Sequence, residues 1–285
     1  MRSLKTAVIQ QQCSHDINAN HRKSAEFIRD VASAGTELIL LQELHSTVYF
    51  CQTKNPDNFK LAETIPGRTT EYFSRLAKKH HVILVISLFE KQMDGLYYNT
   101  AVVLEKDGSI AGKYRKMHIP DDPGYHEKYY FAHGDLGFQP IQTSIGKLGL
   151  LICWDQWFPE AARLTALGGA EILLYPTAIG WDKRETEKTQ QKELNAWQTI
   201  QRSHAIANHL PVMVANRIGF EPDPSHETSG IHFWGNSFIC GAQGEMLAHT
   251  DDKTEGYLIA EFDMEKTKQL RHIWPFFRDR RIDQY

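Results

Sequence analysis

The chain has 285 residues, 41% of them hydrophobic and 24% charged, enough to bury a full core. Its 32 Lys and Arg against 35 Asp and Glu give a net charge of −3, and the cations are scattered, which excludes the basic footprint of a nucleic-acid binder. No apolar run reaches the roughly 18 residues of a membrane span, and MRSLKTAVIQQQ is too weakly apolar for a secretory signal, so a soluble, cytoplasmic protein with no membrane partner is expected.

Short β-rich runs alternate with helical patterns, and no Pro/Ser/Gly-rich linker separates them, so residues 1–285 read as one domain. TAVIQQ (Thr6 to Gln11) reads as a strand. His21 to Ala34 has helical periodicity closed by Gly35, and ELILLQE (Glu37 to Glu43) reads as a buried strand, completing a β-α-β unit. A helix over Thr70 to Lys79 leads into the strand VILVISLF. In NTAVVLEKDGSIAGKYRK, Asp107-Gly108 is a hairpin turn signal between two strands. A long loop, Met117 to Gly137, precedes KLGLLIC, a strand running to Cys153, and Pro159 suits the first turn of the helix PEAARLTALGG. EILLYP is the next strand. A helix over about Lys192 to His209, the strand PVMVANR, and strands near Asn236 to Gly241 and Gly256 to Asp263 complete an α/β layered pattern. Parallel or mixed pairing is left open.

Cys13, Cys51, Cys153 and Cys240 stand far apart, without C-x-x-C pairs, and are expected to be free thiols; the fourteen His show no metal-ligand spacing, so no metal is signalled. Cys153 differs from the others in position. It ends an apolar strand just before a helix, where unpaired N–H groups and the helix dipole favour a thiolate nucleophile. A Cys behind LLI is also an ordinary small buried hydrophobe, so position alone does not decide between the two. Two other strand ends carry charges that a purely structural account does not need: Glu43 in LLQELH and Lys116 in YRKMHIP. A carboxylate beside a thiol supplies a general base, and a fixed ammonium stabilises an oxyanion. Each alone is more often solvated surface; together they suggest a Glu-Lys-Cys set.

With these three motifs in this order, the sequence resembles the nitrilase, or carbon-nitrogen hydrolase, superfamily over essentially its whole length. The resemblance implies an α-β-β-α sandwich, with Glu43 as base, Lys116 as oxyanion partner and Cys153 as nucleophile. It also implies a second acid, matched by Glu127 in PGYHEKYYF, and a cofactor-free hydrolysis through a thioester-like intermediate. Homo-oligomers are implied as well. The C-terminal stretch, about 272–285, is too apolar to dangle in water and is expected to pack on the body or on a partner subunit.

Specificity should arise next to the nucleophile. The stretch Trp154-Asp155-Gln156-Trp157 carries no Arg to hold a substrate carboxylate, so Asp155 and the acid-rich GWDKRETEKTQQKE are expected to receive a cation. Trp154, Trp157, Trp181 and Tyr130 are the aromatic candidates for lining the slot. Within the superfamily, CWDQWFPEAARL, GAEILLYPTAIGW, ANRIG and WGNSFICG are similar to a polyamine-pathway branch, which implies a linear carbamoylated diamine as the small-molecule substrate. In that branch Asn216-Arg217 and Asn236-Ser237 look like pocket or supporting positions. The alternatives are an amidase for another linear amide or ω-amide and a non-catalytic binding subunit of the same fold. A papain-like protease is set aside because the chain lacks the C-G-S-C-W context.

Overall fold

A computed structural model describes residues 3–182 and 184–284. In chain order the elements are β1 (Ser3–Gln10), α1 (Ile17–Ser33), β2 (Leu38–Leu40), α2 (Arg68–His80), β3 (Ile83–Met93), β4 (Leu96–Leu104), β5 (Ile110–Arg115) and α3 (Glu127–Tyr130). These are followed by β6 (Ile141–Thr143), β7 (Gly146–Leu150), α4 (Pro159–Leu167), β8 (Ile172–Pro176), β9 (Gly180–Asp182), α5 (Glu187–Asn208) and β10 (Val212–Ala215). The last are β11 (Ile218–Glu221), β12 (Ile231–Trp234), β13 (Phe238–Cys240), β14 (Met246–His249), β15 (Gly256–Asp263) and α6 (Met264–Ile273).

Two six-stranded sheets form the centre, in the orders β15-β1-β2-β3-β4-β5 and β14-β13-β10-β8-β7-β6. Pairing is mixed, which answers the point that the sequence leaves open. In each sheet three parallel strands, β1-β2-β3 or β10-β8-β7, are flanked by antiparallel neighbours. The parallel strands read as continuous apolar runs because both of their faces are covered. In β2, Leu38 and Leu40 enter the layer between the sheets, while Ile39 turns outward to meet Ile28 and Val31 of α1 and Phe73 and Ala77 of α2. On the second sheet α4 and α5 supply the cover: Gly149 and Leu173 face Thr165 of α4, and Tyr175 faces His204 of α5. The result is the α-β-β-α sandwich.

Helix starts follow local chemistry. Asp16 caps α1 through Ala19 N–H and Thr186 caps α5 through Thr189 N–H, which lengthens both helices beyond their apolar periodicity. Pro159 occupies the first turn of α4, as its fixed φ favours. Periodicity misses β6, β9, β11, β12 and β14, all three or four residues long, α3 inside the Met117 to Gly137 loop, and the ten-residue α6. After α6 the chain folds back on the end of α5: Phe276 lies 4.3 Å from the His209 ring, and Arg163 and Arg271 stand over Phe277. Among the described residues no helix is long and apolar enough to cross a membrane, and no group of three or more His, Cys, Asp or Glu could hold a metal ion.

Candidate active site

The carboxyl ends of the parallel strands in both sheets face one region, the usual place for a site in α/β layers. Glu43 follows β2 by three residues, Cys153 follows β7 by three, and Lys116 directly follows β5. Glu43, Lys116 and Glu127 are fully buried. Lys116 Nζ donates to Glu43 Oε1 at 2.8 Å and to Glu127 Oε1 and Oε2 at 2.9 and 2.7 Å. Burial opposes its charge, yet the Glu127 and Glu43 carboxylates hold the ammonium well above the usual lysine range. Burial pushes Glu127 up to about 7 against the pull of Lys116, with the Glu43 charge adding to the rise. Asn99 Nδ2 donates to Glu43 Oε1 at 2.7 Å, and Tyr49 OH donates to Glu127 Oε1 at 2.7 Å. Oε2 of Glu43 is buried and has no hydrogen-bond partner among the described residues.

Cys153 opens a 3-10 turn, Cys153–Trp157, with φ of +43°, a left-handed conformation that L side chains avoid and that surrounding bonds must hold. Those bonds are present. Asp155 accepts from Ile152 N–H at 2.9 Å, Tyr114 OH at 2.7 Å, and His118 N–H and Nδ1 at 3.0 and 2.7 Å. Gln156 accepts from Trp197 Nε1–H at 2.8 Å, and His204 Nε2 lies 2.8 Å from the Gln156 carbonyl, tying the turn to α5. Cys153 Sγ lies 3.8 Å from the Ala178 carbonyl.

The thiolate expected from the sequence is not the resting state. Burial pushes the Cys153 thiol well above its ordinary value, the nearby Glu43 charge pushes it further, and Lys116 only partly opposes them. The helix argument fails because β7 ends at Leu150 and α4 begins only at Pro159, leaving Cys153 in a short turn rather than at a helix N-terminus.

A cavity of about 480 Å³ opens above the thiol. Trp154 and Trp157 line it, as expected, and stand 6.5 Å apart edge to face. Asp155 does not reach it: the carboxylate is fully buried and spent on its four donors beneath the Cys153 turn. Tyr130 is also elsewhere, with its hydroxyl on Thr53 O and Asn58 Nδ2 and its ring edge-on to Phe50 in a separate aromatic cluster. Trp181 turns away to pack on Trp234 and donates to Gln190 O at 3.2 Å. The cation-receiving expectation instead falls on Asp122, Asp182, Glu185 and Glu193, which all line the cavity, and no Lys or Arg lines it among the described residues. Three of these acids lie in the acid-rich stretch singled out from the sequence. Asp182 is already paired with Arg184 and accepts from Ser229. The Oε2 of Glu185 is buried without a hydrogen-bond partner among the described residues, and burial with the Asp182 charge raises its pKa, while Glu193 is raised by burial and by Glu185.

Asn216, Arg217, Asn236 and Ser237 support backbone rather than line the cavity. Asn216 binds both the N–H and the carbonyl of Ile179, a wall residue, and Ser237 Oγ accepts from Asn216 N–H. Asn236 sits at φ +50° with Nδ2 on Trp234 O. The loop Glu221 to Gly230 is fixed by Asp223, which accepts from Ser225 and Thr228. Sequence reasoning misses Tyr49, Asn99, Asp122 and Tyr125, the last a cavity-lining residue whose hydroxyl accepts from Gly180 N–H at 3.0 Å. Tyr49, Asn99 and Tyr125 carry no local signal, and Asp122 gives only the weak one of standing among prolines in IPDDPGY.

Compared with known proteins, residues 5–272 match the carbon-nitrogen hydrolase family. The chain is 43% identical to the N-carbamoylputrescine amidase of Solanum lycopersicum, over 100% of this chain and 94% of that protein. It is 41% identical to the citrullinase of Francisella tularensis, over 100% and 98%. The crystal structure of a carbon-nitrogen hydrolase from Helicobacter pylori G27 superposes with a TM-score of 0.96 at 52% identity, covering 99% of this chain and 97% of that one.

Proposed function

The chain belongs to the carbon-nitrogen hydrolase family, and from that premise we propose that it hydrolyses N-carbamoylputrescine to putrescine, carbon dioxide and ammonia. It is an enzyme that cleaves carbon-nitrogen bonds. In this reading Cys153 is the nucleophile, Glu43 the general base, Lys116 the oxyanion partner, and Glu127 the group that orients Lys116. Because the thiol rests protonated, attack begins as Glu43 takes the Sγ proton and sulfur adds to the carbamoyl carbon. The free Oε2 of Glu43 is the atom available for that proton. Lys116 meets the oxyanion of the tetrahedral adduct in a dry site, where a fixed cation is worth most. The C–N bond then breaks as Glu43 returns the proton to the leaving nitrogen. A water molecule gives Glu43 its proton and attacks the thioester-like carbon, the sulfur departs and regains a proton, and the carbamic acid so released breaks its remaining C–N bond to give carbon dioxide and the second nitrogen product. No cofactor enters this sequence.

The observation that carries the substrate reading is a cavity lined by four carboxylates and no described cation, with one carboxylate oxygen of Glu185 buried and without a hydrogen-bond partner among the described residues. A substrate whose far end is an ammonium supplies the missing charge, and Trp154 and Trp157 suit a methylene chain. The citrullinase relative favours a second reading in which the ureido group belongs to citrulline. The carboxylate of that substrate would face the same four acids, which counts against it. The test compares ammonia release from N-carbamoylputrescine, citrulline, N-carbamoyl-β-alanine and a simple ω-amide, with Cys153→Ala as control. Selective turnover of the first supports the proposal; preference for citrulline or an ω-amide overturns the substrate and leaves the chemistry standing.

A cytoplasmic location and a homo-oligomer belong to the same proposal. Four unpaired cysteines suit a reducing compartment. Ile273, Trp274 and Phe276, at 70%, 50% and 40% exposure, form an apolar patch suited to a second copy.

A further inference from the structure

Glu43 is followed by a backbone conformation that its sequence does not favour. Leu44 has φ of +48°, and a γ-branched residue in the left-handed region holds that conformation only when its surroundings impose it. The turn decides where the Glu43 carboxylate points. Its own ladder bonds are few: Glu43 N–H reaches Thr177 O at 3.4 Å and Leu44 N–H reaches Ser87 Oγ at 3.1 Å. Three carbonyls of the turn, those of Glu43, Leu44 and Thr47, are taken by one side chain, while Cys13 and Asn20 serve the carbonyls of His45 and Ser46. Arg217, fully buried, donates from Nη2 to Glu43 O and Leu44 O at 3.2 and 2.8 Å, and from Nη1 to Thr47 O at 2.9 Å.

The guanidinium is itself fixed. Nη1 also donates to Glu221 Oε1 at 2.8 Å, and the group stands 5.4 Å from the centre of the Phe233 ring. Glu221 Oε2 accepts from Tyr49 N–H at 2.6 Å, and the Tyr49 hydroxyl donates to Glu127. One buried ion pair thus touches the base through its main chain and the second carboxylate through a tyrosine. Arg217 and Glu221 cancel each other's charge, so the contribution of the pair is geometric. A lysine at 217 keeps the charge but has one compact head in place of the planar fork that reaches four oxygens.

We infer that Arg217, held by Glu221, is a positioning residue for the reaction: its fork locks the left-handed turn at Leu44 and so sets the Glu43 carboxylate against Lys116 and Cys153. The Glu221–Tyr49–Glu127 branch keeps the second carboxylate in register with the first. This rests on Glu43 being the general base.

The experiment uses the full-length protein carrying Arg217→Lys, with Glu221→Gln as an isosteric second variant and Glu43→Gln alongside. Steady-state kinetics are measured on N-carbamoylputrescine, alkylation of Cys153 by iodoacetamide is followed against pH, and folding is checked by thermal melting. A shifted base costs roughly 10- to 100-fold in kcat with KM changed by less than about threefold, as expected of a misplacement near 1 Å. The pH at which alkylation rises moves down, because the carboxylate whose charge pushes the thiol up stands farther from it. Glu221→Gln moves both readouts in the same direction by less, and it carries the test if Arg217→Lys does not fold. Folded variants with wild-type kcat and an unshifted alkylation profile overturn the positioning role, as does a kcat loss that matches the unfolded fraction with the profile unchanged. Wild-type turnover by Glu43→Gln overturns the base assignment instead, so the two failures are distinct.

Discussion

The fully buried Glu43–Lys116–Glu127 group near Cys153, termed the floor, and the acid-lined mouth of the cavity handle their acids in opposite ways. On the floor, Glu43 and Glu127 enclose Lys116 within hydrogen-bonding distance, and Asn99 and Tyr49 complete the contacts. At the mouth, Asp122, Asp182, Glu185 and Glu193 have no described cation inside the cavity, and Glu185 keeps a buried oxygen without a hydrogen-bond partner among the described residues. The floor is preorganised by the protein, as a site that must act on a developing charge has to be. The mouth is incomplete without a cation. A molecule that repairs the mouth is one whose charge lies a chain length away from the group attacked on the floor.

Removing a floor residue should abolish chemistry, whereas neutralising a mouth residue should cost binding only. The largest effect is expected for Cys153→Ala, which should lower turnover by roughly 10⁴-fold or more, since a covalent route has no substitute when its nucleophile is lost. Its melting temperature should stay near that of the parent, because a small thiol replaced by Ala leaves little void. Residual turnover within a hundredfold of the parent would remove Cys153 from the mechanism. Next comes Glu43→Gln, expected to lower kcat by about 10²- to 10⁴-fold, the range for a general acid-base group. The variant should still take up a cationic substrate analogue with parental affinity, measured by calorimetry; if affinity falls instead of kcat, floor and mouth are not separate.

Asp155 tests the boundary between the two regions, because it is an acid next to the nucleophile that belongs to neither. It holds the Cys153 turn through Ile152, Tyr114 and His118. Asp155→Asn, which leaves buried donors unpaired, should destabilise the protein by about 2–4 kcal/mol in chemical denaturation. The ratio of KM values for cationic and neutral substrates should not change. A selective rise in KM for the cationic substrate would restore Asp155 to the mouth.

How far each region was legible in the sequence follows from how locally it is encoded. Glu43 and Cys153 each come three residues after a strand whose apolar run is visible, and Lys116 directly follows the second strand of a hairpin marked by Asp107-Gly108, so all three could be placed from the order of elements. Asp155 was misplaced because a carboxylate two residues from a nucleophile looks the same in sequence whether it faces the cavity or turns beneath it. The turn at Cys153, with its positive φ, decides the matter and has no sequence signature. Tyr130 and Trp181 failed in the same way, as aromatic rings near the site that the aromatic cluster and Trp234 claim for packing. Tyr49 and Asn99 were out of reach for a further reason, as were the particular bonds of Arg217, which the resemblance marked only as a pocket or supporting position. Their partners are 78, 56 and 173 positions away, and no local pattern encodes such pairings. The acids of the mouth were half legible: the acid-rich stretch named three of them, and only the fold joins Asp122 to the group.

Two smaller effects sharpen the account of the mouth. Glu185→Gln should raise KM for N-carbamoylputrescine by about tenfold, the value of one partly desolvated charge-assisted contact. The same variant should leave KM for N-butylurea, which lacks the terminal ammonium, almost unchanged. Equal changes for the two substrates would mean that Glu185 shapes the cavity rather than reading charge.

The weakest effect concerns pH. Burial raises both Glu185 and Glu193 above the ordinary carboxylate range, Glu185 further through Asp182 and Glu193 further through Glu185. A raised carboxylate takes up its proton earlier as pH falls, and each proton removes one negative charge from the mouth. KM for the cationic substrate should therefore climb on the acid side of neutrality, before ordinary carboxylates titrate, while KM for N-butylurea stays level. In Glu193→Gln one of the two early-titrating acids is gone, so the climb should be shallower and KM at neutral pH should rise only about two- to threefold, as for a partly exposed charge. A pH dependence of KM shared by both substrates would trace to the floor, because only there does titration touch a group that every substrate meets.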